Sequence, residues 1–186
     1  RPFITHHNTL GMDLFLRIAP ELYLKRLIVG GFPKVYEINR NFRNEGISFK
    51  HNPEFTMLEL YEAYGDMDSM LALCEDIFVH LARKVTGKES IPYEDRELNL
   101  SSPWKRLTYF EAIEKFAKLK LTEDMSGEQA LAAAKKAGIR DEELGHADSV
   151  WTVAESVFDA RVEDHLIEPT FITHHPLAVS PLAKAD

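Results

Sequence analysis

Polar and apolar residues alternate along Lys34–Phe42, which puts Val35, Glu37, Asn39 and Asn41 on one face and Tyr36, Ile38, Arg40 and Phe42 on the other. A period of two is the mark of a strand. Residues 43–54 are polar and end in Asn52-Pro53, a loop signal. Residues 55–64 read as a returning strand, so the pattern predicts an antiparallel hairpin, about 34–64, with a long tip. Tyr36, Ile38 and Phe42 are then available to a core, and Met57, Leu58 and Leu60 read as strand packing. Upstream, residues 12–18 alternate loosely and predict another strand. Pro20 opens a helix over Glu21–Val29, and Gly30-Gly31 closes it.

Downstream the period changes. Met70, Leu71, Leu73, Ile77, Phe78 and Leu81 recur at helical spacing, in a helix that Asp66 can cap and Gly87 ends. A short strand is expected at 97–100. Thr108 with Glu111 three residues on is a capping box for the next helix. Residues 126–137 are Ala-rich and helical, 148–165 form a further helix ended before Pro169, and 171–173 read as a strand. The prediction is an α+β chain, an antiparallel sheet flanked by helices, with residues 120–147 as a small helical insertion. Phe3-Ile4-Thr5-His6-His7 recurs at 171–175, but five residues are too few for a structural repeat.

With 186 residues and 45% hydrophobic content the chain makes one domain or one large part of one. Its net charge of −8 argues against a surface built mainly to coat nucleic acid, while leaving room for a local basic contact. The lone Cys74 has no internal disulfide partner, reads as a small core residue, and fits a reducing, cytoplasmic compartment. No apolar run reaches a bilayer-spanning length, so no membrane association is expected. Arg1-Pro2-Phe3 does not read as a leader, and without an initiator Met the chain is expected to begin inside a longer protein. His6-His7 and His174-His175 are adjacent pairs, which point to opposite faces of a strand and lack zinc-helix spacing. No metal site is expected within this chain.

The chemistry concentrates in Phe42-Arg43-Asn44-Glu45 and His51-Asn52-Pro53-Glu54-Phe55. An Arg ending one strand and a Phe opening the next can face one cavity. Arg43 offers a fixed fork of donors for phosphate or carboxylate. Glu45 offers acceptors for an exocyclic amine, Phe55 a flat face for a base, and His51 a further donor. An ordinary hairpin with Arg43 paired to Glu45 would account for the same residues. Glu59 and Tyr61 lie two apart and so share a face. Glu21 at a helix start can also be simple compensation of the helix dipole. Glu37, Arg40 and Glu62 read as hairpin pairing or solvent-facing charge.

The spacing resembles motif 2 of class II aminoacyl-tRNA synthetases: Phe, Arg, any residue, Glu, a loop, His or Arg, and a returning Phe. The string from Val35 through Tyr64, the opening Arg-Pro-Phe-Ile-Thr-His-His-Asn, and Glu168-Pro-Thr-Phe-Ile-Thr followed by Ser180-Pro181-Leu182-Ala183 are similar to the lysine enzymes of that class. The resemblance implies part of a class II catalytic domain that activates lysine with ATP and loads it onto tRNA(Lys). It implies that Arg43 bridges the α-phosphate of ATP and the lysine carboxylate. Asn44, Glu45, His51, Asn52 and Phe55 would serve ATP, with Phe55 stacked on adenine. Glu21 would take the α-amine, and Glu59 with Tyr61 the ε-amine. Mg2+ is expected in the full-length enzyme, on ligands outside this chain, as is a homodimer.

Motif 1 and motif 3 are not in these residues, so this chain alone is expected to be poorly active or inactive. His174-His175 stands where many relatives carry an acidic and aromatic pair. Two other readings stay open: a paralogue that lysylates an elongation factor, and a regulator that binds lysine or an adenylate without catalysis. The bridging role makes a direct prediction. Arg43→Lys in the full-length enzyme keeps the charge but cannot fork between two oxyanions. The adenylation rate should fall by orders of magnitude with the fold retained. Near-normal adenylate formation in a pyrophosphate-exchange assay would contradict bridging.

Overall fold

The computed structural model describes residues 2–48 and 51–182. Arg1 of the opening string and Ala183 of the closing one lie outside them. The chain divides into two compact units, Arg1–Met67 and Asp68–Asp186.

The first unit is built from two hairpins and one helix. Strands β1 (Ile4–His7) and β2 (Met12–Phe15) pair antiparallel, from Ile4 opposite Phe15 to His7 opposite Met12. Gly11, at φ +58°, makes the turn, its amide donating to the His7 carbonyl at 2.9 Å. The predicted strand at 12–18 stops at Phe15, yet its tail continues beside the next strand: Phe42 N donates to the Arg17 carbonyl at 2.9 Å. Helix α1 (Glu21–Val29) forms as expected behind Pro20 and buries Leu24. Gly31, at φ +102°, turns the chain into β3 (Lys34–Phe42).

Strand β3 pairs antiparallel with β4 (Glu54–Glu62) in unbroken register, Lys34 opposite Glu62 through Phe42 opposite Glu54. The two-residue period therefore puts Val35, Glu37, Asn39 and Asn41 on the same face as Phe55, Met57, Glu59 and Tyr61. The other face carries Tyr36, Ile38, Leu58 and Leu60. Tyr36 and Ile38, available to a core by sequence, are instead 73% and 62% exposed, because no described element of this unit covers that face.

The second unit opens with α2 (Met67–Thr86), whose first residue belongs to the first unit. Strands β5 (Ser90–Tyr93) and β6 (Arg96–Asn99) follow as an antiparallel pair. β7 (Lys105–Thr108) pairs in parallel with β8 (Thr170–Thr173). The α+β expectation holds, and among the described residues the strands form three antiparallel pairs and one parallel pair rather than one continuous antiparallel sheet. The parallel pair escapes sequence reading because β7 has no clear alternation and its partner lies far along the chain.

Thr108 caps α3 (Tyr109–Ala117) as predicted. Its hydroxyl accepts from Glu111 N at 3.2 Å, and Glu111 Oε2 accepts from Thr108 N at 2.8 Å. α4 (Gly127–Lys136), the short α5 (Asp141–Leu144) and α6 (Val150–Arg161) complete the bundle. Its core holds Ile113, Ala130, Ala134, Val153 and Val157. Residues 120–147 therefore share one apolar core with α3 and α6. Glu143 ties α5 to α6 by accepting from Arg161 Nε at 2.6 Å and Nη2 at 3.0 Å.

The start of α4 is close-packed. A Cβ on Gly127 would lie 1.9 Å from the Asp148 carbonyl oxygen and 3.2 Å from Ser149 Cα. Both are backbone, so the helix start would have to move. Gly127→Ala should destabilise the protein by about 1–3 kcal/mol, the usual cost of overpacking. Thermal denaturation checks this, and an unchanged Tm would contradict the close approach.

Candidate functional site

Every residue singled out for substrate chemistry lies in the first unit. The polar tip is held by its own backbone. Ser48 and His51 exchange N–H···O bonds at 3.2 Å each way, and Ser48 Oγ lies 2.7 Å from His51 Nδ1. Arg43 N donates to the Pro53 carbonyl at 2.9 Å, which closes the base of the tip. Two cavities open at this base. One, of about 270 Å³, is lined by Arg43, Glu45, Gly46, His51, Asn52, Pro53 and Phe55. The other, of about 400 Å³, is lined by Ile18, Ala19, Glu21, Arg43, Asn44 and Glu45. Arg43 and Glu45 belong to both.

Arg43 is oriented from two sides. Its guanidinium lies over the Phe55 ring, 5.2 Å from the centroid. Its Nε donates to the Ile18 carbonyl at 3.4 Å. Cation–π attraction and a weak backbone contact hold the planar group while leaving donors to spare. Among the described residues Arg43 forms no ion pair with Glu45; the ion pairs of the hairpin run instead between Arg17 and Glu37, Lys34 and Glu62, and Arg40 and Glu54. The ordinary-hairpin explanation, with those two charges satisfying each other, loses its main contact.

Glu59 and Tyr61 line neither cavity, but the strand geometry brings them together. Tyr61 OH donates to Glu59 Oε1 at 2.9 Å. Burial, the bond to Glu59 and the charges of Glu59 and Glu21 push the Tyr61 hydroxyl up to about 12. It therefore stays a neutral donor at physiological pH. Lys25 forms an ion pair with Glu21 four residues before it, and its Nζ lies 5.7 Å from the Tyr61 ring centroid. A resident ammonium group thus already sits between the helix-start carboxylate and this aromatic ring. Asn44 faces the cavity that holds Glu21, whereas Phe55, His51 and Asn52 line the other.

Arg17, Glu37 and Asn41, on or beside this face, were not assigned to the site by sequence; Glu37, expected as a hairpin or solvent-facing charge, pairs instead with Arg17 outside the hairpin. Arg17 Nη1 donates to Glu37 Oε1 at 2.5 Å, and its Nε to the Arg40 carbonyl at 3.2 Å. Glu37 also accepts from Asn39 Nδ2 at 3.1 Å. Asn41 is 1% exposed, and neither its Oδ1 nor its Nδ2 has a partner. Buried polar atoms are normally hydrogen-bonded. Among the described residues, those without a partner are Arg17 Nη2, Asn41 Oδ1 and Nδ2, and Glu59 Oε2, all on or beside this one hairpin. The alternation along β3 already put Glu37 and Asn41 on one face; which face was covered depended on the register, which sequence does not give. Arg17 carries no signal of its own. Arg40 and Glu62, expected as hairpin charges, pair with Glu54 at 3.2 Å and Lys34 at 2.9 Å.

Two nine-residue strands joined by a polar tip carry the Arg43, Glu45, His51 and Phe55 spacing, and these residues line two cavities that share Arg43 and Glu45. A family model for the class II tRNA synthetases (D, K and N) matches residues 1–186. The chain belongs to that family. Among its relatives, the lysine–tRNA ligase of Syntrophomonas wolfei is 54% identical over 186 residues, covering 100% of this chain and 37% of that protein. The lysine–tRNA ligase of Pelotomaculum thermopropionicum is 55% identical over 184 residues, 99% of this chain and 36% of that one. The lysine–tRNA ligase of Salmonella typhi is 50% identical over 190 residues, again covering 36% of its length. The chain therefore spans just over a third of the curated relatives it matches. No helix among the described residues is long and apolar enough to cross a membrane.

Proposed function

We propose that this chain is part of the catalytic domain of a lysine–tRNA ligase, in which ATP and lysine meet at Arg43. The observation that carries the reading is the sharing of Arg43 between the two cavities. On one side Phe55 offers a stacking face, His51 and Asn52 offer donors, and Glu45 accepts from an adenine amine. On the other side Glu21 offers a carboxylate for the α-ammonium, with Asn44 beside it. Arg43 would hold the α-phosphate and the lysine carboxylate together for in-line attack. Such positioning can lower a barrier by roughly 7–11 kcal/mol. Its charge would also stabilise the negative charge that develops on the α-phosphate.

The carboxylate oxygen of lysine attacks the α-phosphorus, the bond to the bridging oxygen breaks, and pyrophosphate leaves. Lysyl-adenylate remains; a terminal ribose hydroxyl of tRNA(Lys) then attacks its acyl carbon, the bond to the phosphate oxygen breaks, and AMP leaves. Glu59 and Tyr61 would select the ε-ammonium. Glu59 Oε1 is fixed by the Tyr61 hydroxyl, and Oε2 is buried with no partner among the described residues. Lys25 would give up Glu21 to the incoming α-ammonium. Among the described residues no three His, Cys, Asp or Glu side chains gather into a metal-holding set. The Mg2+ expected for the full-length enzyme is proposed, from the resemblance, on residues outside this chain, and no step above runs through it. The full-length enzyme is proposed to act as a homodimer in the cytoplasm.

Glu59→Gln in the full-length enzyme tests the selection. Losing one charge-assisted bond costs roughly 1.5–3 kcal/mol. The lysine KM in pyrophosphate exchange should therefore rise on the order of ten- to a hundredfold, with the ATP KM little changed. An unchanged lysine KM would remove Glu59 from the pocket.

A further inference from the structure

Two carboxylates oppose each other across the hairpin. Glu37 on β3 is the register partner of Glu59 on β4. Like charges directly opposite on one face repel each other, and each would attract an ammonium group. Their surroundings differ. Glu37 Oε1 receives Arg17 Nη1 at 2.5 Å and Asn39 Nδ2 at 3.1 Å. The Arg17 bond first, and then that of Asn39, hold its carboxyl below the usual carboxylate range. Arg17 is itself tied to the end of the strand, through its Nε on the Arg40 carbonyl at 3.2 Å and its own carbonyl under Phe42 N at 2.9 Å. Glu59 keeps one buried oxygen, Oε2, without a partner among the described residues.

We propose that Arg17 is a specificity-determining positioning residue: by occupying Glu37 it leaves Glu59 Oε2 as the acceptor for the substrate's side-chain ammonium. The inference rests on the lysine-activating reading above and deepens it. The amino-acid substrate has a fixed length between its two ends. Its carboxylate must reach Arg43 while its far ammonium finds one carboxylate and not another. With Arg17 in place the charge of Glu37 is already countered and its Oε1 is taken, so the ammonium is directed to the buried Oε2 of Glu59. Without it, two opposed carboxylates compete for one cation, and the substrate sits in more than one way. Arg17 touches no reacting atom in this scheme; it acts through Glu37. That role also explains why a half-buried Arg–Glu pair stands beside a substrate pocket, where a surface ion pair contributes little to stability.

The test is a double-variant cycle in the full-length enzyme, read by pyrophosphate exchange with lysine and ATP varied in turn. Arg17→Gln should raise the lysine KM by about tenfold and leave the ATP KM within about twofold. Glu37→Gln alone releases the Arg17 guanidinium next to Glu59, where it competes with substrate, so the lysine KM should rise here too. The double variant removes both charges and should return the lysine KM to within about threefold of wild type. Rescue of this kind does not arise from damage to the fold, and the Glu37→Gln arm stands even where Arg17→Gln does not fold. A wild-type lysine KM in either single variant overturns the proposal. So does a double variant no better than the singles, or an equal rise in both KM values. A wild-type enzyme that activates a different amino acid overturns the lysine reading itself, and this inference with it.

Discussion

The register of one hairpin fixes nearly everything about the site. Nine residues of β3 oppose nine of β4 without a bulge, Lys34 opposite Glu62 through Phe42 opposite Glu54. A slip of one residue would move every side chain to the other face. Phe55, Glu59 and Tyr61 would then lie with Tyr36 and Ile38, and Glu37 would no longer oppose Glu59. The same register places Arg43 just beyond the last pair, so its backbone amide can bond Pro53 while its guanidinium reaches over Phe55. The stacking face, the arginine and the acidic pair therefore come as a set.

On that scaffold the charges are arranged so that few acceptors remain open. Arg17 and Asn39 take Oε1 of Glu37, Lys25 pairs with Glu21, and Tyr61 takes one oxygen of Glu59. Among the described residues, the buried side-chain atoms left over belong to Arg17, Asn41 and Glu59. Unpaired buried polar groups are costly. A protein keeps them most readily where a ligand or a further part of the chain completes them, and their gathering beside a single hairpin points the same way as the two cavities. The second unit, by contrast, has an ordinary apolar core, around Ile113, Val153 and Val157, and well-formed helix caps.

Much of this was legible in the sequence. The helix at Glu21–Val29, the strand at Lys34–Phe42 and the Thr108 capping box follow from Pro and Gly placement, a period of two and a spacing of three. Local rules suffice for such elements. The motif around Arg43 was legible as a resemblance, and its residues do gather at two adjoining cavities. What failed to show was non-local. The parallel pairing of β7 with β8 joins residues more than sixty positions apart. The exposure of Tyr36 and Ile38 depends on what lies over the sheet, which alternation cannot state. Arg17 was missed because it follows the end of a short strand and matters only through its contact with Glu37, twenty residues on.

In the proposed reaction one arginine joins two substrates while one carboxylate oxygen receives the far end of the amino acid. A crystal structure of the full-length protein with lysine and a non-reactive ATP analogue measures this directly. The Arg43 guanidinium should lie within about 2.7–3.2 Å of both a lysine carboxylate oxygen and an α-phosphate oxygen, with the ε-ammonium on Glu59 Oε2 and Arg17 still on Glu37. An Arg43 that contacts only one of the two ligands, or an ε-ammonium seated away from Glu59, would contradict the account.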